Sequence, residues 1–143
     1  MNQNHAATQS PRVIFNLPEG KEQINPSEES LREFVLNRGD EFWATGSGQA
    51  ALEFTGPQVG SRLLLTGLQS AGFFIIYEPA DGDSLSALNP ASSDQEMITV
   101  YVGGEPMEIP QSNFLDRETA WRVIGDFLHD GKPSPRVTWE PWL

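Results

Sequence analysis

The chain contains no cysteine, which excludes a disulfide framework, a thiolate nucleophile and any thiolate metal site. It has two histidines, His5 and His129, too few for a three-histidine metal centre. No apolar run approaches the roughly 20 residues of a membrane-spanning helix. Bases are scarce: nine Lys and Arg stand against twenty Asp and Glu, a formal net charge of −11. Direct nucleic-acid binding needs basic stripes, and an anionic membrane repels such a chain, so neither partner is expected. The scarcity is greatest between Arg62 and Arg117, where no base occurs at all. That stretch carries Glu78, Asp81, Asp83, Asp94, Glu96, Glu105, Glu108 and Asp116. It also holds the most apolar segment, Gly72-Phe-Phe-Ile-Ile-Tyr77, so it is no disordered acidic tail. Acidity on a folded surface either keeps a small domain soluble or steers a basic partner.

What is present suits one domain. The 143 residues suffice for a single core over residues 11–143, with residues 1–10 read as a disordered tail rather than a secretory signal. Arg12 to Leu17 reads as a strand, broken by Pro18-Glu-Gly20. Asn25 is the expected N-cap of a first helix, with Pro26 at its first position, Glu28 as the capping-box acid and Leu31, Phe34 and Val35 as its apolar stripe. Strands are expected at Glu41–Thr45 and Gln49–Phe54, around a Gly46-Ser-Gly48 turn. A hairpin follows, Ser61–Leu68 and Phe73–Tyr77 around Gln69–Gly72, whose unbroken apolar runs imply cover on both faces. Glu78–Gln95 reads as a long polar loop, and Glu96–Val102 with Glu105–Ile109 as a hairpin about Gly103-Gly104, with Pro106 on its edge. Asp116 caps a second helix bearing Ala120, Trp121, Ile124, Phe127 and Leu128, closed by Gly131 and Pro133. Val137–Trp139 is a final short strand. The class is α+β: an antiparallel meander sheet of about six strands with two helices packed on one face.

Motifs for catalysis are weak. Gly46-Ser-Gly48-Gln-Ala-Ala51 matches a loose dinucleotide pattern but runs into a strand, so it is read as a glycine turn and no cofactor is expected. Asp81-Gly-Asp83-Ser84 opens like a calcium loop but lacks the later ligands, so no metal is expected. His129 lies in the last turn of a helix, where a cation suits the dipole. Ser70 stands in no nucleophile elbow. An enzyme is therefore disfavoured, and a carboxylate pair is the one catalytic device left open.

The C-terminal half carries a recognisable pattern. A strand ends in Val102-Gly-Gly-Glu105, with a paired segment to Ile109. A helix with Ala120 and Phe127-Leu128 runs into a Gly131-Lys-Pro133 break and a closing Pro135-Arg-Val-Thr-Trp139. This resembles an immunity-protein family of bacterial polymorphic toxin systems, the family commonly paired with deaminase-type toxins. The resemblance spans about Arg12 to Trp139, and the Gly-x-Pro break with Val-x-Trp is its most telling part. Each piece also serves folding, as hairpin turn, helix cap, helix stop and core.

The resemblance implies a cytoplasmic, non-catalytic antidote that binds a cognate toxin domain, a nucleic-acid deaminase or nuclease, and occludes its basic active-site cleft. Glu78, Asp81, Asp83, Asp94, Glu96, Glu105 and Glu108 are the expected partner-binding residues, with Trp142 as an aromatic anchor. Trp43 is a second candidate anchor for which core packing is the stronger reading. A non-catalytic adaptor for another basic protein is the alternative. The oligomeric state is left open.

Overall fold

Strand β5 (Gly72–Glu78) has no solvent face: Phe73, Phe74, Ile75, Ile76 and Tyr77 are all buried. The rest of the molecule is arranged around that strand. The computed structural model describes residues 12–56, 60–68, 70–102 and 104–142. The expected tail at 1–10, with His5, and the turn residues Gln69 and Gly103 lie outside the described residues.

Elements run in the order β1 (Arg12–Asn16), β2 (Glu22–Ile24), α1 (Glu28–Asn37), α2 (Asp40–Trp43), β3 (Ala50–Thr55), β4 (Gly60–Leu68), β5, β6 (Leu85–Leu88), β7 (Met97–Val102), β8 (Glu105–Pro110), β9 (Phe114–Leu115), α3 (Arg117–Asp130) and β10 (Thr138–Pro141). The main sheet is antiparallel, in the order β10-β6-β5-β4-β3-β1-β2, with β9 also paired to β5. β7 and β8 form a separate two-stranded sheet. The α+β class and the antiparallel sheet are as expected.

Side-chain alternation along β5 divides the core. Phe73, Ile75 and Tyr77 join Leu63 and Leu65 of β4 on one face, against Leu31, Phe34 and Val35 of α1 and Ala120, Val123, Ile124 and Phe127 of α3. Phe74 and Ile76 point the other way, toward Val100 of β7, Ile109 of β8 and Phe114. The continuous apolar run thus reflects helices on one side and the β7–β8 hairpin on the other.

Three local expectations are corrected. The α1 N-cap is Ser27, whose Oγ accepts from the Ser30 N–H at 3.0 Å. Asn25 instead sits at φ +50 after β2, and its Oδ1 accepts from the Val13 N–H at 2.9 Å. Glu41–Thr45 is no strand: α2 occupies it, so Gly46–Gly48 joins a helix to β3. A strand would send Phe42 and Trp43 to opposite faces, whereas the helical turn brings both to one core. Phe42 stacks on Phe34, and the Trp43 Nε1–H donates to the Phe34 carbonyl at 3.1 Å. Finally, Glu78–Gln95 is not one loop, because β6 crosses it between β5 and β10. Its Leu-Ser-Ala-Leu sequence has little strand propensity of its own, and its Ser86 and Ala87 are buried by partners far along the chain.

The second helix starts and stops as read. The Asp116 Oδ1 accepts from the Thr119 N–H at 2.7 Å. Gly131 closes it at φ +74, donating to the Phe127 carbonyl at 2.7 Å. The Gly131 carbonyl accepts from the Tyr77 Oη–H at 3.0 Å and the Ser61 Oγ–H at 2.7 Å, locking the helix end to β4 and β5. A Cβ there would lie 2.4 Å from the Phe54 ring. Gly131→Ala is therefore expected to lower unfolding free energy by about 2 kcal/mol or more, from left-handed backbone strain plus overpacking, as urea titration would show.

Candidate functional site

The β7–β8 hairpin shows how a short alternating sequence makes two unlike faces. Ile98, Val100 and Val102 of β7, with Met107 and Ile109 of β8, pack inward on Phe74, Ile76 and Phe114. Met97, Thr99 and Tyr101 face outward, paired across the ladder with Pro110, Glu108 and Pro106. Met97 and Tyr101 are 55% and 58% exposed, and with Ile24 they are the exposed large hydrophobic residues among those described. Pro106 and Pro110 share one parity, so their missing N–H groups fall on the side of β8 away from β7. That edge cannot accept a full added strand, and recognition here must proceed through side chains.

The hairpin is pinned at both ends. The Gln111 N–H donates to the Glu96 carbonyl at 2.8 Å and the Ser112 N–H to the Asp94 carbonyl at 2.9 Å. At the tip, the Gly104 N–H donates to the Ser47 carbonyl at 2.9 Å. These contacts hold the outer face against the body of the protein.

The expected partner-binding acids fall into two sets. Asp94, Glu96, Glu105 and Glu108 lie on the hairpin or its base and are all exposed. The Asp94 Oδ1 accepts from the Glu96 N–H at 2.9 Å, shaping the entry to β7. Glu78 ends β5, and Asp81 and Asp83 belong to the β5–β6 connection. Glu78 accepts from the Arg62 Nε–H at 3.0 Å, which offsets its charge, while Asp81 and Asp83 are exposed. Trp142 is half-buried, edge-on to Phe74 with ring centroids 5.1 Å apart. Trp43 is 1% exposed and belongs to the core. Met97 and Tyr101 had a sequence signal in the alternation of Met97–Val102, but only the packing of the hairpin shows which parity faces out.

A second polar cluster is structural. The Asp126 carboxylate accepts from the Ser134 Oγ–H at 2.6 Å and the Arg136 Nε–H at 2.8 Å, tying the segment after α3 back to the helix. Burial alone would raise its pKa, but the Ser134 and Arg136 hydrogen bonds and the Arg136 and His129 charges outweigh this and hold it below the ordinary value. Among the described residues no group of three His, Asp or Glu side chains is placed to hold a metal ion. Among the described residues no helix is long and apolar enough to cross a membrane.

Residues 26–141 match the family model described as Immunity protein Imm1. A search of the curated proteins finds no match.

Two expectations follow from the packing and the charges. Tyr101→Ser should change stability by no more than about 0.5 kcal/mol, whereas Trp142→Ala should cost about 2 kcal/mol by uncovering Phe74, both read by urea unfolding. A depressed Asp126 pKa stabilises the fold above the ordinary carboxylate range, and the contribution is lost as pH falls through the folded value. Asp126→Asn should therefore be less stable than wild type by about 1 kcal/mol at pH 7, with the gap closing as the pH falls below the ordinary carboxylate range.

Proposed function

We propose a mode of action for a chain that belongs to the Imm1 family of immunity proteins, and so is an immunity protein of a toxin system: it binds its cognate toxin through the outer face of the β7–β8 hairpin and blocks the toxin's active-site cleft. The toxin is a nucleic-acid deaminase or nuclease, and inhibition takes place in the cytoplasm by binding, without turnover. One observation carries this reading. Met97 and Tyr101 stand exposed on a pinned hairpin, among Glu96, Glu105 and Glu108 and within a stretch that contains no base.

The physical logic is substrate replacement. An enzyme acting on nucleic acid must present a basic cleft to phosphates. An acidic surface enters such a cleft on the same electrostatic terms, with fast, steered association. Exposed carboxylates at the rim govern chiefly the rate of encounter, whereas apolar and aromatic contacts such as Met97 and Tyr101 govern residence time. Asp94 lies at the base of this surface. Asp81 and Asp83 add to the long-range field from the β5–β6 connection, and Glu78 adds less because Arg62 is paired with it. Trp142 supports the hairpin from within, through Phe74.

The test measures binding of the toxin encoded beside this chain, by stopped-flow at two ionic strengths. The Glu105→Lys, Glu108→Lys double variant should slow association about tenfold at low salt and flatten its salt dependence. Tyr101→Ala should act mainly on dissociation. Unaltered kinetics in both variants would reject this face, and failure of the wild-type chain to protect cells from that toxin would reject the function itself.

A further inference from the structure

A cavity of about 540 Å³ opens beside the hairpin, between β4, the Gly46–Gly48 turn and β7. Its origin lies in the register of the sheet. Strand β3 stops pairing with β4 at Ala50↔Leu65, whereas β4 continues through Thr66, Gly67 and Leu68, paired on its other side with β5. The chain before β3 peels away, and the wedge this opens is lined in part by the backbone of Gly46, Gly48, Gly67 and Gly104. At Gly67 no side chain is possible, since a Cβ would lie 2.8 Å from the Phe73 ring and 2.9 Å from the Trp43 ring.

One polar group in this cavity is unexplained by the fold. Thr66 is 3% exposed, and its Oγ1 finds no hydrogen-bond partner among the described residues. It is the single buried side-chain polar atom so described. Thr66 has the parity of Leu64 and Leu68, which pack on the hairpin side of the sheet, and its buried side chain lines the wedge. A buried hydroxyl without a partner carries a desolvation cost that a bound ligand removes. The lining is more apolar than polar: Trp43, Leu68, Val100 and Tyr101 stand among glycine backbone and the two threonines. No ionised side chain lines the cavity, but Glu105 follows Gly104 at its rim and Glu108 is paired across from Thr99.

We infer that this cavity receives a cationic side chain of the toxin, with arginine the best match. The inference rests on the immunity reading and names the anchor within that surface. An arginine stem suits the apolar walls, its planar head stacks on the Tyr101 ring, and its N–H donors supply Thr66 Oγ1 with the missing bond. Glu105 and Glu108 favour positive charge at the entrance, as does the net charge of −11.

Two measurements separate this site from the function. The first uses no toxin: Nα-acetylarginine amide is titrated into the full-length, isotope-labelled protein and followed by amide NMR shifts, with Nα-acetylglutamine amide as the neutral control. Saturable shifts are expected at Thr66, Gly67 and Thr99 with the arginine probe, absent with glutamine and lost in Thr66→Val. The second measures toxin affinity. Thr66→Val and Thr99→Trp should each weaken binding at least tenfold, with Thr66→Ser within about twofold of wild type and no variant showing a lowered Tm. Thr99 is exposed, so tryptophan there covers the mouth without entering the core. Undiminished toxin affinity in Thr99→Trp and Thr66→Val overturns the anchor while leaving the immunity function standing. If the wild-type chain binds no toxin, the function fails instead, and the arginine titration alone decides the cavity: no saturable shift overturns it.

Discussion

Everything in this molecule depends on β5 being buried on both faces. A strand that sends Phe73, Ile75 and Tyr77 to one side and Phe74 and Ile76 to the other needs two covers. On the first side α1 and α3 supply one. On the second, no α-helix among the described residues joins the cluster, and the β7–β8 hairpin takes that place with Val100 and Ile109. A two-stranded sheet is thin, so its far side must face solvent. The demand for a second cover is therefore what produces an outward surface bearing Met97, Thr99 and Tyr101. Burial of this kind gives about 25 cal/mol per Å² of apolar area, which is what holds a hairpin too small to be stable alone.

Much of this was legible in the residues. Alternation and turn chemistry marked the hairpins, and Asp116 and Gly131 marked α3, because those signals are local. The misreadings share one cause, which is that distant partners decide. Phe42 and Trp43 looked like strand residues until Phe34 and Phe73 were there to receive them from a helical turn. Leu85–Leu88 carries weak strand propensity and becomes a strand because β5 and β10 flank it. Asn25 has the chemistry of a cap and spends it on Val13 instead. The candidate surface was half legible. Its acids were plain from the base-free stretch, but the outward parity of Met97 and Tyr101 and the unpartnered Thr66 hydroxyl exist only in the packed structure.

The functional account joins charge to shape. A charge of −11 by itself explains solubility as readily as binding. The distribution is more informative: exposed acids and exposed apolar groups share one rigid hairpin, whose free edge is closed to strand addition by Pro106 and Pro110. Family membership supplies the kind of partner, and the hairpin and the adjoining cavity supply a way to hold it. The groove between α1 and α3 is a weaker candidate, since Asp126 and Arg136 there already bond to each other.

The central claim is that the toxin is met by the hairpin side of the sheet and not by the helical side. Backbone hydrogen exchange of the full-length protein, with and without its cognate toxin, compares the two sides directly. The account predicts slowed exchange on complex formation at residues 97–110 and 46–48, with α1 and α3 unchanged. Slowing confined to α1 and α3 would contradict it.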